Sequence, residues 1–145
     1  ITIEDIAWGL SMIPRFLGHT LFHFSVAQHS VNVMNDVRSC TEDKRVILAG
    51  LLHDASEAYL CDIPSPIKHR ISGYMQIENN FMQFVADKFG FDWPLAEIVK
   101  LCDKERLEYE WNRCVLGTGR TWDGDDPISP IIAYETFMDE FKSIS

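Results

Sequence analysis

The residues best able to do chemistry in this chain are two histidines and two aspartates spread over three separate stretches. In Leu51-Leu52-His53-Asp54-Ala55-Ser56-Glu57 an ionisable pair sits at the end of an apolar run, and a charge placed there must be compensated. Taken alone, such a dipeptide is more often a hydrogen-bonded core histidine beside a solvated carboxylate. Its company changes the reading. His29 lies between Val26 and Val33 on one stripe, and Asp103 stands four residues after Val99 and four before Leu107, so both point along apolar helix faces. Two imidazoles and two carboxylates form a mixed nitrogen and oxygen donor set. That set suits a borderline divalent ion (Mn, Co, Fe or Zn, with Mg as an alternative) rather than a thiolate-seeking one. Four protein ligands on an octahedral ion leave two positions for water and a substrate oxygen, which metal-assisted hydrolysis requires. Glu57 follows His53 by one helical turn, so its carboxylate can reach the same place unless it is a plain surface charge.

The elements that must position these residues read as helices throughout. Apolar residues recur at spacings of three and four, and no segment alternates with period two. A first helix is expected from Ile3 to Ile13, started by Thr2 with Glu4 and Asp5 and stopped by Pro14. A second runs from about Phe22 to Val37. A third starts at Thr41 with Glu42 and Asp43 and continues to His53 and beyond. Pro64 and Pro66 enforce a loop. A longer helix from about Ile67 to Phe89 has Ile71, Met75, Phe81, Phe84 and Val85 on its apolar side and ends at Gly90. Pro94 stands near the first turn of the next, which reaches about Val115. Residues 117–130, rich in Gly, Asp and Pro, form an irregular loop. A last helix from about Pro130 to Phe141 lies in the C-terminal segment 131–145, where Phe137, Phe141 and Trp122 nearby serve core or contact equally. The fold class is therefore all-α: a single compact bundle of five to six main helices spanning residues 1–145.

Composition narrows the partners. A chain of 145 residues has room for one ordinary core. Its 13 Lys and Arg against 22 Asp and Glu give a net charge of −9, which disfavours a nucleic-acid polymer or an anionic membrane surface as partner. No apolar run approaches the roughly 20 residues of a membrane-spanning helix. No signal-peptide pattern opens the chain, and Ile1 in place of Met suggests that a few leading residues are missing. Cys40, Cys61, Cys102 and Cys114 are scattered without a C-x-x-C pair, as expected of reduced thiols in a cytoplasmic protein.

The order His, then His-Asp, then a distant Asp resembles the HD-domain metal-dependent phosphohydrolases. His29, His53, Asp54 and Asp103 stand at the four motif positions. The likeness extends to Arg15-Phe16, Ser25-Val26-Ala27-Gln28-His29-Ser30, His53-Asp54-Ala55-Ser56-Glu57-Ala58 and Asp62-Ile63-Pro64-Ser65-Pro66-Ile67-Lys68. These are similar to the branch holding bacterial 5′-deoxynucleotidases and phage deoxynucleoside triphosphate hydrolases, whose members carry Arg-Trp near the position of Arg15-Phe16. The resemblance implies Glu57 and Asp62 as catalytic residues. It further implies Arg15, Lys68 and Lys100 as phosphate-holding cations, and Phe16 as the wall against a ribose 2′-hydroxyl. His19 and His23 border the pocket or pack in loops, while His69, Arg70, Lys104 and Arg106 are expected on a solvated face.

The implied activity is metal-dependent hydrolysis of the 5′ phosphoester of 2′-deoxyribonucleotides. It leans to a dNTP (for instance dATP) triphosphohydrolase releasing deoxynucleoside and triphosphate, with a monophosphate 5′-deoxynucleotidase as the alternative. A guanosine polyphosphate hydrolase is a further alternative, although Glu57-Ala58 lacks the second acidic residue of that pattern. A non-catalytic, metal-stabilised ligand-binding module is the reading from another class. The family also implies a homo-oligomer, a dimer or larger ring, in the cytoplasm, which is the host cytoplasm if the gene is carried by a phage.

Overall fold

The computed structural model describes residues 1–118 and 126–145. Among them, six longer helices carry the fold: α1 (Ile3–Met12), α2 (Val26–Cys40), α3 (Lys44–Leu52), α6 (Tyr74–Phe89), α7 (Glu97–Glu110) and α8 (Pro130–Ile144). Two one-turn helices, α4 (Glu57–Leu60) and α5 (Ser65–Lys68), lie between α3 and α6. No strand forms among these residues; a single bridge pairs Pro14 with Ser25. The all-α bundle is therefore as expected, and none of its described helices is long and apolar enough to cross a membrane. Of the loop expected over 117–130, residues 119–125 lie outside the described residues, Trp122 among them, and Pro130 already opens α8.

Local chemistry sets the helix ends. Thr2 and Asp5 form a reciprocal capping box at the start of α1, with contacts of 2.9 and 3.1 Å. The second helix begins at Val26, not Phe22. Arg15 N–H donates to Phe24 O and Val26 N–H to Ile13 O, so the chain runs extended beside Pro14 until the Ser25 side chain caps Gln28 N–H. Asp43, rather than Thr41, caps α3 through Arg45 N–H. That helix stops at Leu52, short of the expected continuation through His53. Pro64 and Pro66 do not enforce an open loop. Pro66 sits in the first turn of α5, where the missing N–H costs nothing. The long helix starts at Tyr74 because Gly73 takes a left-handed φ of 78° that interrupts helical geometry. Its buried face is Tyr74, Met82, Val85 and Ala86, whereas Ile71, Met75 and Phe84 are exposed.

The second helix is the centre of the molecule. Residues from Val26 to Met34 are buried without a break, as befits a helix enclosed on all sides, and α2 packs on α1, α3, α7 and α8. Phe137 of α8 is fully buried, and Phe141 is packed at the core edge. Gly50 lets α3 approach closely: a Cβ there would lie 3.1 Å from Met34 Cα. Arg106, expected on a solvated face, is 5% exposed instead. Its guanidinium crosses from α7 to Asp36 of α2, with Nη2 donating to Oδ1 at 2.8 Å, because burial of a charge at this contact demands a partner.

Candidate metal centre

Three helices deliver their polar residues to one point. His29 Nε2 on α2 lies 3.2 Å from His53 Nε2 at the end of α3 and 3.0 Å from Asp103 Oδ1 on α7. One ligand atom from each of these three residues falls within 4.8 Å of the others, as a metal ion would require. Asp54 Oδ2 completes the set, 3.2 Å from His53 Nε2 and 3.6 Å from His29 Nε2. The four residues chosen from sequence therefore converge.

The orientation of both rings follows from their other nitrogens. His53 Nδ1 is 2.8 Å from the Gly50 carbonyl, which can only accept, so Nδ1 donates. His29 Nδ1 donates to Glu110 Oε1 at 2.7 Å. Each imidazole thus turns Nε2 toward the other, and neutral rings would set two lone pairs face to face. Positive charge has to lie between them, as a second ring proton or a cation. Burial works against protonating His29 and so does the Arg15 charge, but Glu110 and Asp103 outweigh both and raise its pKa. Burial likewise opposes protonation of His53, and Asp54 and Asp103 lift it well above the usual imidazole value. Burial would raise the Asp54 and Asp103 carboxyls; the two histidines hold both below the carboxylate range. The site is built for positive charge, and its donor set fits a divalent ion in place of two protons.

Beside the centre opens a cleft of about 700 Å³, floored by Asp54 and Asp103 and walled by Phe16, Leu107 and Trp111. Arg15 lines it, with Nη1 at 3.8 Å from Asp62 and 4.0 Å from Asp54. Phe16 is held at a positive φ of 54°, a conformation costly to an aromatic residue and found where the surroundings enforce it. Its ring meets Trp111 edge-on at 5.7 Å. Glu57 enters from the first turn of α4 and is 5% exposed, and its Oε2 has no hydrogen-bond partner among the described residues. Burial, with Asp54 and Asp62 nearby, pushes the Glu57 carboxyl well above its usual range. Burial also raises Asp62. Lys68 reaches the cleft from α5 while bonded to Glu78 at 2.7 Å.

The chain aligns over its whole length with the Uncharacterized protein YfdR of Escherichia coli K12, 33% identical over 85% of that protein. The chain belongs to the YfdR family. A second uncharacterized protein, from Rhodobacter capsulatus, is 36% identical over 76% of this chain and 62% of its own length. No family model matches the sequence.

One expected site assignment needs correction within this family member. Lys100 does not line the cleft. It sits one turn toward the start of α7, half-exposed, and its ammonium bonds Glu97 at 2.7 Å. Lys104 is exposed, as expected, and also lines the cleft, because the cleft runs along the later half of α7. His19 and His23 are exposed and do not border it. His69 and Arg70 are exposed as expected. Glu110, Leu107 and Trp111 are site residues that sequence reasoning missed. Leu107 and Trp111 carried a signal, since they continue the Asp103 stripe at steps of four, whereas Glu110, seven residues on, reads in the sequence as an ordinary helix residue. None of the four cysteines forms a disulfide.

Proposed function

We propose that this chain is a divalent-metal-dependent phosphohydrolase of the HD-domain type, cleaving the 5′ phosphoester of 2′-deoxyribonucleotides. One observation carries the reading: two buried imidazoles turn Nε2 toward each other at 3.2 Å, with two carboxylates beside them, at the floor of an open cleft. A divalent ion bound there supplies a Lewis acid for phosphate oxygens and lowers the pKa of water toward neutrality. His29, His53, Asp54 and Asp103 are the residues that would hold it.

The remaining roles belong to the chain. Arg15 presents Nη1 to the cleft as a charged donor for a phosphate oxygen, its Nε and Nη2 being held by Glu110. Lys68 and Lys104 add positive charge along the walls. Glu57, whose carboxyl is raised by burial, holds its proton to higher pH than an ordinary carboxyl and can deliver it to the leaving sugar oxygen. Asp62 stands 3.8 Å from Arg15, placed to orient that arginine or to accept from a sugar hydroxyl. Phe16, Leu107 and Trp111 offer an apolar wall for sugar and base.

Deoxynucleoside triphosphates are the substrate the resemblance favours. A specific observation favours the monophosphate as a second reading: of the three cationic side chains described in the cleft, Arg15 is already bonded to Glu110 and Lys68 to Glu78, with Lys104 beside them, so less positive charge is left for a long phosphate chain. The test is a panel of deoxy- and ribonucleotides, as mono- and triphosphates, incubated with the protein under Mn, Co, Zn and Mg, with the released phosphate species identified. Chelated protein and the Asp54→Asn variant are expected to fall to background, and restored Mn to recover the chelated sample. Full activity after chelation overturns the reading.

A further inference from the structure

We infer that Glu110 is a positioning residue that couples occupancy of the cation site to the hold of Arg15 on an anion in the cleft. The inference rests on the metal-dependent reading above and extends it to a carboxylate outside the ligand set.

Glu110 is completely buried, and its two oxygens are divided between two partners. Oε1 takes His29 Nδ1 at 2.7 Å, the nitrogen opposite the one facing the cation site. Oε2 takes Arg15 Nε at 3.1 Å and Nη2 at 3.0 Å. One edge of the guanidinium is thereby spent inside the protein. The remaining Nη1 is the end that reaches Asp54 and Asp62 beside the cleft. A single carboxylate thus links the back of a metal-site imidazole to the back of an anion-facing arginine.

Both ends of this link are rigid. Arg15 is tied through its own N–H to Phe24 O at 2.8 Å, and Glu110 closes the last turn of α7. Neither side chain can leave without stranding a buried charge, which is strongly unfavourable. Charge arriving on His29 Nε2 makes Nδ1–H a stronger donor and draws the carboxylate's negative charge toward the imidazole. Less of that charge is then left to neutralise Arg15, so the guanidinium meets an anion with more of its own charge available. Because coupling between two binding events is reciprocal, an anion on Arg15 tightens the cation by the same factor. A carboxylate that only neutralised a buried arginine would affect stability and nothing else.

The experiment uses the whole chain and titrates Mn alone, inorganic phosphate alone, and Mn in saturating phosphate, for wild type, Glu110→Gln and Glu110→Asp. Removal of an outer partner of a ligating histidine weakens metal binding by about 10- to 100-fold, and Glu110→Gln is expected in that range. The tightening of Mn by phosphate should shrink several-fold in the same variant. Glu110→Asp keeps the charge but is too short to serve both partners, so it should recover Mn affinity in part while still lacking the phosphate effect. The visible spectrum of bound Co should shift in Glu110→Gln, a signature that a role in stability alone does not move. Wild-type Mn affinity together with an unchanged phosphate effect in folded variants overturns the inference and leaves the metal reading intact; if Glu110→Gln does not fold, Glu110→Asp decides. Wild-type protein that takes up neither Mn nor Co overturns both.

Discussion

Phe16 shows how a single residue is placed at the cleft. Its positive φ of 54° turns the ring across the cleft mouth, edge-on to Trp111 and 5.3 Å from the Arg15 guanidinium. Under the proposed function, the family resemblance makes this ring the candidate wall against a 2′-hydroxyl. Phe16→Ala is expected to raise activity on ribonucleotides relative to deoxyribonucleotides, read as the ratio of kcat/KM values. An unchanged ratio removes Phe16 from sugar selection.

At the level of elements, the contact between α2 and α3 decides whether the two histidines meet. Gly50 faces Met34 so closely that a methyl there would lie 3.1 Å from its Cα and 3.2 Å from Val37 Cγ2. The same Gly50 carbonyl accepts from His53 Nδ1, so any outward shift of α3 also moves a metal-site ring. Gly50→Ala gains about 1 kcal/mol of helix propensity but overpacks a backbone contact, at a cost of about 1–3 kcal/mol. A lower urea midpoint and weaker Mn binding are expected together. A rise in the midpoint with unaltered Mn affinity would show that the interface yields freely.

For the molecule as a whole, the charged centre ties stability to pH. In the cation-free protein both histidines hold protons more firmly than in the unfolded chain. Their contribution to stability is complete below the ordinary imidazole value of about 6.5 and drains away as pH rises through the raised folded values. The raised Glu57 carboxyl acts in the same direction, since its buried charged form is disfavoured as pH rises. The lowered Asp54, Asp103 and Glu110 carboxyls act oppositely, but they lose their contribution only as pH falls through values below the carboxylate range. From about pH 6 to 8 the cation-free protein should therefore lose Tm, while the increase in Tm produced by Mn grows, because the metal no longer competes with ring protons. A Mn-induced shift that is equal across this range contradicts the exchange of protons for metal.

Helical periodicity and punctuation made six helices legible in the amino-acid order, and the stripes carrying His29 and Asp103 made the inward direction of both legible too. Helical position pointed to Asp54 and Glu57, the family resemblance added Asp62 and Lys68, and all four line the cleft. What the order of residues did not contain was which helix face meets which. Periodicity gives a direction around one axis only, so packing overturned the solvated face expected for Arg106 and the cleft position expected for Lys100, and the apolar side expected for α6 held only in part. Glu110 belongs to the same class: a glutamate two turns beyond Asp103 is an ordinary helix residue, and only the close approach of α1's exit and α2 to α7 sets Arg15 and His29 on its two oxygens.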